Sequence, residues 1–105
     1  MIKHVDITGS QGTPLRAVFI PVGEAPNYPP DNEKGYTEDL VEFYDRSHDF
    51  TPDGQFITCY YASTLLGRPT GSGLDLMGYV PDWKIDGRTL QLVLDWIAYH
   101  QYVKP

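Results

Sequence analysis

Residues 44–67, YDRSHDFTPDGQFITCYYASTLLG, carry the side chains of this 105-residue chain best suited to chemistry. Asp45, Ser47, His48, Asp49 and Asp53 fall within one short span, and Cys59, the sole cysteine, follows closely. A metal centre takes three or four His, Cys, Asp or Glu ligands that converge on one point. Hydrolysis would use His48 as a base, oriented by Asp45 or Asp49, with Ser47 or Cys59 as nucleophile. The pattern favours neither. Along a strand Asp45 and Asp49 point one way and His48 the other, which disperses the ligands. No GxSxG, HExxH, calcium-loop pattern or glycine-rich phosphate cradle is present. Cys59 sits among aromatic residues with no neighbouring cation to activate it and reads as a buried structural thiol. His4 and His100 are isolated and read as structural. The sequence therefore implies no catalytic residue, no bound metal and no cofactor, and reads the quoted stretch as an acidic rim.

The elements that would position this rim follow from residue pattern. VDIT (5–8) and LRAVFIPV (15–22) read as strands separated by the turn-prone GSQGTP. Residues 23–36, GEAPNYPPDNEKGY, hold three prolines and two glycines and read as a long exposed loop. LVEFYD (40–45) alternates Val41 and Phe43 with Glu42 and Tyr44, the period of a half-buried strand. TPDG (51–54) is a strong turn signal, so 40–50 is expected to pair with 55–62 as a hairpin; a strand followed by a helix is the alternative. The uncharged run 54–67 reads as a central strand or a buried helix. LDLMGYV (74–80) and WKI (83–85) read as short strands. Asp86 is a good N-cap for a helix over 88–103, in which Leu90, Val93, Leu94 and Ile97 form one apolar stripe. The expected fold is a single α+β domain: a small, mainly antiparallel sheet of four to five short strands packed against a C-terminal helix.

Charge is the second informative feature. The net charge is −6, and residues 31–60 account for all of it, with eight acidic side chains against two basic ones. Direct binding to nucleic acid needs clustered Lys and Arg and is not expected. No apolar run approaches the ~20 residues that span a bilayer, and MIKHVDITGSQG lacks the apolar core of a secretory leader. One cysteine forms no internal disulfide, which suits a cytoplasmic setting. Aromatic residues point the same way as charge: Tyr28, Tyr36, Tyr79 and Trp83 lie in or beside loops, where such rings serve contacts.

Together these features predict a small acidic, non-enzymatic binding protein. It would dock an acidic, tyrosine-bearing face, made of Glu38, Asp39, Glu42, Asp45, Asp49 and Asp53 with Tyr36 and Tyr44, on a basic surface of a protein partner. Nucleic-acid-handling proteins are one class with such surfaces, and phage or plasmid inhibitors of restriction or CRISPR machinery offer an analogy by size and charge. One alternative is a small hydrolase-like or metal-binding enzyme using His48 with Asp45 or Asp49. Another is a homodimer through Leu92, Trp96, Tyr99 and Val103, a second stripe on the final helix that a single covering sheet does not require.

Overall fold

A computed structural model describes residues 3–22 and 38–102. The strands β1 (Lys3–Thr8), β2 (Pro14–Ile20), β3 (Leu40–Asp45) and β4 (Gln55–Tyr61) form an antiparallel sheet in that order. A short helix α1 (Ala62–Leu66) follows directly on β4. The strand pair β5 (Leu74–Asp75) and β6 (Lys84–Ile85) flanks a 3₁₀ turn at Pro81–Trp83, and the chain continues into α2 (Gly87–Tyr102). This is the α+β arrangement that the sequence pattern implies.

The core lies between α2 and one face of the sheet. Leu15, Ala17 and Phe19 of β2 and Val41 and Phe43 of β3 alternate onto that face, where they meet Leu90, Val93, Leu94 and Ile97 of α2. The expected apolar stripe of the helix is thus the buried one. Asp86 caps it: the Thr89 N–H donates to Asp86 Oδ1 at 2.7 Å, satisfying one of the unpaired donors of the first turn. The opposite face of the sheet carries a smaller cluster of Val18, Ile20 and Leu40, with Tyr44 packed against it.

The hairpin over 40–62 forms as expected, and the helix alternative does not. Ile57 is the extra residue of a β-bulge, since Phe43 pairs with Thr58 while Tyr44 pairs with Phe56. Two expectations change. The run 54–67 is neither a central strand nor a buried helix: β4 is an edge strand, partly exposed except at Ile57, and α1 completes the run. The run 74–80 pairs only at Leu74 and Asp75, because Val80 N–H bonds back to the Met77 carbonyl at 2.9 Å and turns the chain before Pro81. The loop 23–36, with Tyr28 and Tyr36, lies outside the described residues. No helix among the described residues is long and apolar enough to cross a membrane.

Candidate functional site

The carboxylates of β3 do not share a face. Asp39 and Asp45 alternate with Val41 and Phe43 and turn toward the α2 side, whereas Glu42 turns to the opposite face. Asp45 is 4% exposed. Its Oδ1 accepts from the Ser47 N–H at 2.8 Å and from the Ser47 hydroxyl, and its Oδ2 accepts from the Trp83 indole at 2.8 Å. Burial opposes the charge, but these donors outweigh it and hold the carboxyl below its ordinary value. Asp39, 8% exposed, accepts from the Val22 N–H at 2.8 Å and from the Gln101 amide of α2 at 3.1 Å. Both carboxylates are thus buried and engaged within the fold, in contrast to the exposed placement expected from the sequence.

The remaining residues expected to bind a partner also divide. Glu38 lies at the end of β3 farthest from the hairpin loop, and its carboxylate accepts from the Ser63 hydroxyl at 2.7 Å. Asp53 is neutralised by Arg16, whose guanidinium contacts it at 2.9 Å and Asp6 at 2.7 Å, while Arg46 lies 3.6 Å from Asp6. Asp49 is exposed on the hairpin loop. Tyr36 lies outside the described residues. Among the described residues the expected acidic side chains do not share a single face.

Glu42 and Tyr44 sit together on the sheet face away from α2, the Tyr44 hydroxyl donating to Glu42 at 3.0 Å. Burial pushes the Glu42 carboxyl up despite that bond, and Asp53 adds repulsion. Burial and the nearby Glu42 push Tyr44 up as well. A carboxylic acid with a raised folded pKa binds its proton in the folded state before the unfolded one, so its contribution to stability falls as pH rises through that window. Glu42→Gln, which removes the charge and keeps an acceptor, is accordingly expected to raise the melting temperature at pH 7 by about 2–4 °C. The gain should vanish near pH 4, which thermal denaturation at the two pH values checks.

The chemistry-bearing residues do not converge. His48 is exposed, with Asp45 already engaged by Ser47 and Trp83, and no hydrogen bond joins His48 to Asp45 or Asp49 among the described residues. Cys59 is half-buried on the sheet face beside Glu42, rather than buried as expected; burial and that carboxylate push its thiol up, away from reactivity. No group of three or more His, Cys, Asp or Glu able to hold a metal occurs among the described residues. A depression lined by Arg16, Arg46, Asp49, Thr51, Pro52 and Asp53 encloses about 110 Å³, against the ~300 Å³ or more of small-molecule sites.

What the sheet does assemble is a loop end. Loops 9–13, 46–54 and 76–83 are tied to the strand ends around Asp45. Besides the bonds from Ser47 and Trp83, the Ser10 N–H donates to the Lys84 carbonyl at 2.7 Å and the Arg46 N–H to the Pro14 carbonyl at 2.9 Å. Within 46–54, the Thr51 hydroxyl donates to the Gly54 carbonyl at 2.8 Å and accepts from the Asp53 N–H at 3.1 Å. Gly54 has φ +114°, and a β-carbon there would collide with the Asp45 carbonyl, so the turn requires glycine. This framework presents two large rings to solvent: Phe50 is 75% exposed on loop 46–54, and Tyr79 is 80% exposed on loop 76–83. The sequence singles out Tyr79 as a loop aromatic but gives no such signal for Phe50. Among the described residues its ring neighbour is His48, with centroids 5.9 Å apart.

The second helical stripe is divided. Trp96 packs edge-on against Phe19 at 6.1 Å and against His100 at 5.4 Å, so its ring belongs to the core margin. Burial and the nearby Lys3 hold His100 below its ordinary value. Leu92 and Tyr99 are exposed, and Val103 lies outside the described residues. No protein-family model, curated protein or solved structure matches this chain.

Proposed function

We propose that the chain is a non-catalytic binding protein that docks on a protein partner with the loop end of its sheet, using Phe50 and Tyr79 as anchors. The observation that carries this reading is that these are the two most exposed large apolar side chains among the described residues, and both stand on loops tied down around Asp45. Fastened loops lose little freedom on binding, and aromatic rings supply much contact area for few rotatable bonds. Loops held on a rigid sheet are also where binding residues concentrate. The net charge of −6 favours a partner of positive potential and speeds the encounter. Phosphate mimicry by a run of carboxylates, the basis for an inhibitor of nucleic-acid-handling machinery, loses Asp39 and Asp45 to the interior. The broader protein-binding role is therefore the one proposed.

The test is comparative capture from a lysate of the source cells. Three immobilised chains are compared: wild type, Phe50→Ser with Tyr79→Ser, and Leu92→Ser with Tyr99→Ser. A protein retained by the first and third but not by the second supports the loop end. Retention by the second but not the third assigns the interface to α2 instead.

A further inference from the structure

We infer that the partner surface offers two apolar pockets, each edged by a lysine or arginine: one receives Phe50 beside Asp49, the other Tyr79 beside Asp82. The inference rests on the docking role proposed above and adds the chemistry of the surface that is met. Among the described residues every acidic side chain but two has a hydrogen-bond or ion-pair partner within the chain. The two without one are Asp49 and Asp82. Asp49 adjoins Phe50 in the chain, and Asp82 follows Tyr79 by three residues across the turn that leads into Pro81–Trp83. The unpaired carboxylates and the most exposed rings are separate observations, one about charge and one about apolar surface, and they fall on the same two loops.

The pairing is chemically selective. A ring entering a pocket brings its neighbouring carboxylate to the rim, where a cation is attracted and a second carboxylate repelled. Arg46 is the one basic side chain other than His48 on loops 46–54 and 76–83, against Asp49, Asp53 and Asp82, so this end keeps a charge of −2 with His48 neutral. Its Nη1 already lies 3.6 Å from Asp6. Asp53 is held by Arg16, which leaves Asp49 and Asp82 as the carboxylates open to a partner.

The probe is an array of synthetic peptides in three sets that pair apolar residues with Lys or Arg, with Gln, or with Asp or Glu, read with labelled full-length chain. Wild type is expected to bind the cationic set about 3- to 10-fold more strongly than the neutral one, the size of two exposed ion pairs. Asp49→Asn with Asp82→Asn should erase that preference while still binding the neutral set, and 0.5 M salt should do the same to wild type. Equal binding of cationic and neutral sets by wild type, or a preference that survives the double Asn change, overturns the inference and leaves the loop-end docking role standing. Binding that persists in Phe50→Ser with Tyr79→Ser would count against the docking role itself. Melting curves of each variant confirm that the fold is retained.

Discussion

Asp45→Ala is expected to cost about 2–4 kcal/mol of folding free energy, the range for removing a buried, charged acceptor from its donors. For a chain of 105 residues that corresponds to a fall in melting temperature on the order of 10–20 °C. The effect is large because the loss is shared. The Ser47 N–H, the Ser47 hydroxyl and the Trp83 indole all lose their acceptor, and Trp83 lies 38 residues along the chain. Asp45→Asn keeps acceptor capacity without charge and should cost less. The pH dependence has a definite sign. The folded carboxyl sits below its ordinary value, so between the folded and unfolded pKa the unfolded chain binds more protons and stability rises with pH. The deficit of Asp45→Asn should therefore be full above about pH 5 and shrink as pH falls through the folded value. Thermal denaturation of the three chains at pH 7 and pH 3 measures it, and indole fluorescence in a Trp96→Phe background gives a local readout at Trp83.

Phe50→Ser with Tyr79→Ser should act in the opposite way, leaving stability nearly untouched and strongly weakening partner binding. Neither ring is buried, so folding loses little when they are removed. In an interface, anchoring aromatic residues cost roughly 2 kcal/mol or more each on truncation. The pair should weaken affinity by about a thousandfold, with the effect in the dissociation rate. Calorimetric titration of the captured partner, alongside melting of the free variant, separates the two quantities.

Much of the fold was legible because it depends on local periodicity. Val41 and Phe43 against Glu42 and Tyr44 marked β3, and the stripe Leu90, Val93, Leu94 and Ile97 behind the Asp86 cap marked α2. The 74–80 run misled because its apolar residues suit a strand, whereas Gly78 and the Met77–Val80 turn end the pairing after Asp75. The site was less legible, and for a physical reason. A carboxylate in sequence reads as exposed, yet Asp39 and Asp45 are buried by donors from 17 to 62 residues away, which no local pattern reveals. Phe50 carries no sequence signal of its own, and its exposure is visible only once the loop ordered by Ser47 and Thr51 is in place.

Hydroxyl-radical footprinting of the chain, alone and with the captured partner, tests the docking role most directly because it reads side chains one by one. The account predicts that oxidation of Phe50 and Tyr79 falls several-fold in the complex while Leu92 and Tyr99 are unchanged. Protection of Leu92 and Tyr99 with Phe50 and Tyr79 still fully oxidised would contradict it.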